Sequence, residues 1–86
     1  MSNSPIRITV KLFAIYQETY GVPELQLEFP AETTVSHVLD RLISEHPQLE
    51  LWRGRTRFGV NLEFATSDTP LQNGDEVVLI PPVSGG

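Results

Sequence analysis

Glu76-Val77-Val78-Leu79-Ile80-Pro81-Pro82-Val83-Ser84-Gly85-Gly86 is the stretch on which the fold turns. Val77 to Ile80 are apolar at every position. That pattern suits a central strand with a helix on one face and, around Val78 and Ile80, a second face that awaits a partner. Two prolines follow, and a prolyl nitrogen carries no hydrogen to continue a ladder. The last two residues are glycines, with no side chain at all. At a background glycine frequency of about 7%, two terminal glycines arise by chance in roughly 0.5% of chains. Their place behind a strand and a proline pair says more than their number. The stretch predicts a folded domain over residues 1–80 and a flexible arm over residues 81–86, in which Pro81, Pro82, Val83, Ser84 and Gly85 carry the carboxylate of Gly86 away from the body. Gly85 and Gly86 present no Cβ, so such an arm can thread a narrow channel in another protein.

Upstream of this strand, Leu71-Gln72-Asn73-Gly74-Asp75 reads as a tight turn in which Gly74 supplies positive φ. Val35, Val38, Leu39, Leu42 and Ile43 fall at helical offsets behind Thr34, a suitable N-cap whose side chain can accept a backbone N–H. Pro47 stops that helix after His46. Its apolar stripe must lie on a sheet, because a helix of this length is not stable alone. Ile6 to Leu12 and Leu25 to Phe29 alternate apolar and polar residues, and the link between them is too short for a usual parallel crossover, so they predict an antiparallel pair. Between them, Ala14 to Tyr20 followed by Gly21 reads either as a short helical turn or as a structured loop. A loop through Trp52, Arg53, Gly54 and Arg55, a strand over Phe58 to Leu62 and a short piece at Phe64-Ala65 complete the chain.

Composition narrows the classes of function. Eighty-six residues make one domain with one small core, too little for a deep enzymatic cleft. Six Lys and Arg against eleven Asp and Glu give a net charge of −5, which argues against a nucleic-acid surface and favours a partner with a basic one. There is no cysteine, hence no disulfide, no thiolate nucleophile and no cysteine-based metal site. No apolar run is long enough to span a membrane, and Met1-Ser2-Asn3-Ser4-Pro5 has neither the basic nor the apolar region of a signal peptide. The expectation is a cytoplasmic protein with no metal and no bound cofactor.

The order β-β-α-β-β, with one main helix on one face of a mixed sheet and first and last strands parallel at its centre, is an α+β ubiquitin-like β-grasp. Within that frame, Leu12-Phe13-Ala14, Val60-Asn61, Leu71, Gly74-Asp75-Glu76-Val77 and the closing Pro81-Pro82-Val83-Ser84-Gly85-Gly86 closely resemble the small, sulfur-carrier subunits of molybdopterin synthases. The resemblance covers nearly the whole chain in the right order. It implies that a separate ATP-dependent activating enzyme adenylates the Gly86 carboxylate, that sulfur displaces AMP to leave a thiocarboxylate, and that the arm then enters the large synthase subunit. There it would give its sulfur to cyclic pyranopterin monophosphate, forming the dithiolene of molybdopterin in a heterotetramer of two small and two large subunits. The fold and the Gly-Gly ending also fit two other readings: a sulfur carrier for thiamine, cysteine or tRNA thiolation, and a protein modifier joined to lysines.

The remaining polar residues have plainer readings. His37 and His46 lie on or at the end of the helix away from its apolar stripe, as solvated or capping side chains. Trp52 with Arg53, Arg55 and Arg57 reads as a loop anchor among solvated charges rather than a binding patch. Phe13, Phe58 and Phe64 are expected on strands.

Overall fold

Alternation in Ile6–Leu12 becomes β1, whose Ile6, Ile8, Val10 and Leu12 are buried while Arg7 faces solvent. The computed structural model describes residues 4–82. Within them β2 (Glu24–Phe29) pairs antiparallel to β1, from Ile6 opposite Phe29 to Lys11 opposite Glu24. Three further strands, β3 (Arg57–Val60), β4 (Glu63–Ala65) and β5 (Glu76–Ile80), complete a five-stranded sheet in the order β2-β1-β5-β3-β4. β1 and β5 run parallel at its centre, as the sequence requires, with Val10 opposite Val77 and Leu12 opposite Leu79.

The long helix α2 (Val35–Glu45) covers one face and buries Val35, Val38, Leu39, Leu42 and Ile43, the five positions its periodicity singles out. Thr34 is its N-cap in extended conformation and forms a capping box with His37, in which the Thr34 N–H donates to His37 Nδ1 at 3.0 Å. At the other end His46 is the C-cap, and its N–H reaches the carbonyl of Leu42. The helical alternative holds for the segment after β1, where α1 (Ile15–Tyr20) ends on Gly21 with φ 76°. Among the described residues, no helix is long and apolar enough to cross a membrane, and no group of three or more His, Cys, Asp or Glu could hold a metal ion.

Three local expectations need correction. Pro47–Arg55, expected to pass through Trp52 and Arg55 as a loop, is a 3₁₀ segment, because Pro47 presets helical φ at its first position and Leu49, wholly buried, pins it beneath α2. The strand expected over Phe58 to Leu62 stops at Val60. Asn61 and Leu62 take φ of 52° and 71° and form a two-residue hairpin in which Val60 pairs with Glu63. Phe13 lies beyond β1 rather than on a strand and is about half exposed, whereas Phe58 packs against the core from β3 and Phe64 stands on β4.

One buried polar tie joins α1 to the start of β3. The Tyr16 hydroxyl, fully buried, lies 2.5 Å from Thr56 Oγ1, which itself donates to the Trp52 carbonyl at 2.8 Å. A threonine hydroxyl has one proton, already committed to Trp52, so Tyr16 is the donor. Burial raises the Tyr16 pKa above its ordinary value, which keeps that proton in place. Tyr16→Phe removes the donor and leaves Thr56 Oγ1 with its own donated bond intact. The expected cost is about 0.5–1.5 kcal/mol of stability, read from urea unfolding, with the fold retained. A neutral substitution would show that the tie contributes nothing net.

Candidate functional site

The site suggested by the sequence is the end of β5, and the turn before that strand fixes where it lies. Gly74, at φ 91°, lets the chain reverse, and its N–H donates to the Arg7 carbonyl at 2.8 Å. The Arg7 N–H donates to Asn73 Oδ1 in return, also at 2.8 Å, and the Thr9 N–H donates to the Asp75 carbonyl. The Asp75 carboxylate accepts from the Gln72 N–H and from Asn61 Nδ2, while Asn61 Oδ1 accepts from the Glu76 N–H at 3.0 Å. Asn61 is therefore both a hairpin residue and a lock on the first residue of β5. These bonds hold β5 against β1 on one side and β3 on the other, so the register in which the chain leaves the sheet is set.

At the exit, Val77 and Leu79 point into the core and are fully buried, while Val78 and Ile80 face the opposite side. Pro81 is buried and Pro82 half-buried, in a hollow shared with Ile80, Arg55 and Arg57. Val83, Ser84, Gly85 and Gly86, the rest of the expected arm, lie outside the described residues.

The face of the sheet away from α2 divides into two halves. Across β1 and β2 it is polar: Lys11 pairs with Glu24 at 2.8 Å and with Glu76 at 3.8 Å, and Gln26 donates to Thr9. The hydrogen bond and charge of Glu24 raise the Lys11 pKa and Lys11 lowers that of Glu24, as expected for a cross-strand ion pair. Between Glu76 and Arg57, around the middle and end of β5 and the β3–β4 hairpin, the face carries an apolar patch, with Glu63 at its border. Gly59 sits between Phe64 and Val78 in one cross-strand row, and a shallow apolar groove runs along Gly59, Leu62, Phe64, Val78 and Ile80. Leu62 is 90% exposed, Phe64 85% and Ile80 37%. The sequence points to Val78 and Ile80 but not to Leu62 and Phe64, because reading Phe58 to Leu62 as one strand hides the hairpin. Asn61, a residue tolerant of left-handed φ, is the signal that could have shown it.

The other candidates resolve simply. His37 caps α2, and His46 ends it with its ring edge-on to Tyr20 at 4.6 Å. Arg53 is held by Glu50 at 2.8 Å and by Asp40, so it takes part in no basic patch. Trp52 packs against the core, the anchoring role expected of it.

Comparison with known proteins agrees with this geometry. The model of the ThiS family matches residues 10–86. The molybdopterin synthase sulfur carrier subunit of Arabidopsis thaliana is 40% identical over 83 residues, covering 96% of this chain and 86% of that protein. Small archaeal modifier protein 1 of Haloferax volcanii is 34% identical over 88% of this chain and 97% of its own length. Its crystal structure superposes with a TM-score of 0.77 at 30% identity, covering 91% of this chain and 99% of that one.

Leu62 combines left-handed φ with near-complete exposure, at a hairpin position where glycine is favoured. A side chain in that conformation costs roughly 1–2 kcal/mol, against roughly 0.5–1 kcal/mol for the extra chain entropy of glycine. Leu62→Gly is therefore expected to stabilise the isolated protein by about 0.5–1 kcal/mol, seen as a higher urea midpoint. A lower midpoint would mean that the Leu62 side chain packs well enough to outweigh its strain.

Proposed function

The chain belongs to the ThiS family, and on that premise we propose that it is the sulfur-carrier subunit of a molybdopterin synthase, with Gly86 as the residue that carries the sulfur. The observation that carries the reading is the exit of the chain from β5: a central strand, locked at its start by Gly74, Asp75 and Asn61, runs into Pro81-Pro82 at one end of the sheet, and Val83-Ser84-Gly85-Gly86 follow in sequence. The relative from Arabidopsis thaliana, which bears that subunit name, supports it.

A carboxylate is a poor electrophile. Attack of a Gly86 oxygen on the α-phosphorus of ATP, held by a separate activating enzyme, releases pyrophosphate and leaves an acyl-adenylate. A sulfur nucleophile then displaces AMP, and the product is a thiocarboxylate. With no cysteine in the chain, sulfur cannot be stored here as a protein persulfide, which leaves the chain end as the carrier. In the complex with the large subunit, two carriers in succession give their sulfur to cyclic pyranopterin monophosphate. Positioning and proton transfer belong to the large subunit, since residues 81–86 carry no ionisable side chain and the hollows among the described residues are open surface depressions. Pairing of two small with two large subunits, in the cytoplasm, completes the proposal.

The likeness to small archaeal modifier protein 1 favours one second reading. The same acyl-adenylate could be attacked by a lysine amine, which would make the chain a covalent tag. The two readings share activation and part at the acceptor.

The arm's role separates from folding in two variants. Deleting Gly86 moves the carboxylate back by roughly 3.5 Å, where reacting atoms must come within about 3–3.5 Å. Gly85→Val adds a β-branched side chain where a close-fitting channel has no space. Both variants are expected to unfold thermally within about 0.5 kcal/mol of the parent, and both to lose molybdopterin formation with a purified activating enzyme and large subunit. Near-normal product from either variant would contradict a threaded arm. Lysine conjugates in place of molybdopterin would favour the modifier.

A further inference from the structure

The turn before β5 carries a reactive pair that its role in the fold does not use. Of the three asparagines in the chain, Asn3 is followed by serine, Asn61 by leucine and Asn73 by glycine. A backbone nitrogen can attack the side-chain amide carbon of the asparagine before it and close a five-membered ring, and a side chain on the attacking residue hinders that approach. Gly74 has none, and the space where its Cβ would stand is open. Asn73 and Gly74 are both exposed, at the edge of an open hollow shared with Arg7 and Gln26, so water reaches them.

The fold restrains both reacting groups. Asn73 Oδ1 accepts from the Arg7 N–H at 2.8 Å, and the Gly74 N–H donates to the Arg7 carbonyl at 2.8 Å, so the amide under attack and the attacking nitrogen are tied to the same residue of β1. Gly74 must give up its N–H proton to become a nucleophile, and that proton is committed to a carbonyl, which is no base. The bond to Oδ1 restrains the rotation of the Asn73 side chain that ring closure requires. Behind the turn, Asp75 takes the Gln72 N–H and Asn61 Nδ2, and Asn61 Oδ1 takes the Glu76 N–H, so opening the turn strains these ties as well.

We propose that Asn73-Gly74 is a site of spontaneous deamidation and isoaspartate formation, guarded by its exchange with Arg7 and released when the turn before β5 opens. In the first step Gly74 N bonds to Asn73 Cγ, the Cγ–Nδ2 bond breaks, and ammonia leaves with the proton from Gly74 N. Water then opens the succinimide. Its attack at Cγ leaves an ordinary aspartate at position 73, and its attack at the main-chain carbonyl carbon leaves isoaspartate, with the main chain running through Cγ; either way a proton returns to Gly74 N. Both products add one negative charge to a net charge of −5. They differ in what they do to the fold. Aspartate keeps an oxygen for the Arg7 N–H, and a stronger acceptor once ionised. Isoaspartate inserts one more carbon into the main chain of the turn, so the two bonds to Arg7 no longer form together and the register of β5 against β1 loses its anchor. The inference does not depend on the proposed function.

The test incubates the full chain at mildly alkaline pH, folded in buffer and unfolded in urea, and follows it by peptide mapping with electron-transfer fragmentation, which separates aspartate from isoaspartate. Modification is expected at Asn73, with Asn61 unchanged over the same time, and about tenfold or more slower in the folded chain than in urea. Asn61→Gly suits left-handed φ but removes the side-chain bonds to Asp75 and Glu76. Once thermal unfolding confirms that it folds, this variant is expected to react about threefold or more faster than the parent in buffer. The deamidated fraction, collected by ion exchange, should exchange the Arg7 and Gly74 amide hydrogens faster than Asn73→Asp, which is expected to match the parent. No product at Asn73 in urea would overturn the reactive pair, and equal rates in buffer and urea would overturn the guard. An unchanged rate in folded Asn61→Gly would overturn release through this turn. Parent-like amide exchange in chains shown to contain isoaspartate would overturn the link to the register of β5.

Discussion

The parallel pairing of β1 with β5 is the constraint on which the rest of the structure depends. Parallel neighbours cannot be joined by a tight turn, so α1, β2, α2, the 3₁₀ segment and the β3–β4 hairpin all lie between them in sequence and must be packed around them. Val10, Leu12, Val77 and Leu79 then form the floor on which Val35, Val38, Leu39 and Leu42 rest. The same pairing decides where the chain emerges: β5 leaves the sheet at the end where β1 finishes and β3 begins, so Phe13, Arg57 and Pro81 are gathered on one side.

Gly74 and Asp75 convert that constraint into a fixed register. A residue with a Cβ at φ 91° would be strained, and a shifted turn would lose the exchange between Arg7 and Asn73-Gly74 as well as the Asn61 lock on Glu76. Slippage of β5 by one residue would turn Val77 and Leu79 outward and expose the core. A glycine-aspartate pair before the last strand is thus explained by geometry alone. Where those demands end, side chains the core does not use stand exposed: Leu62, Phe64 and Ile80 among them.

Elements governed by simple periodicity are legible in the sequence itself. The α2 stripe, the alternation of β1 and β2 and the fully apolar β5 each state their own burial, and the topology follows once the two long strands are placed together. The features that escape such a reading are set by single residues acting in context. Pro47 and buried Leu49 make a 3₁₀ segment out of a stretch that looks like a polar loop. Asn61 and Leu62 turn the chain in the middle of an apparently continuous alternation. Which arginines find partners is equally hidden, because Arg53 meets Glu50 by helical spacing but Asp40 only through the packing of the 3₁₀ segment against α2. The Pro-Pro-Val-Ser-Gly-Gly ending is a sequence motif whose last four residues lie outside the described structure.

On the proposed function, a body of this size serves group transfer by presenting a reactive end to larger enzymes. The proposed chemistry therefore resides in one atom at Gly86. Intact-mass analysis and fragmentation of the protein isolated from sulfur-replete cells together with its activating enzyme test it most directly. The account predicts a population in which one oxygen of the terminal carboxylate is replaced by sulfur, mapped to Gly86, and absent when ATP or the activating enzyme is withheld. Sulfur located on any other residue, or none under charging conditions, would contradict it.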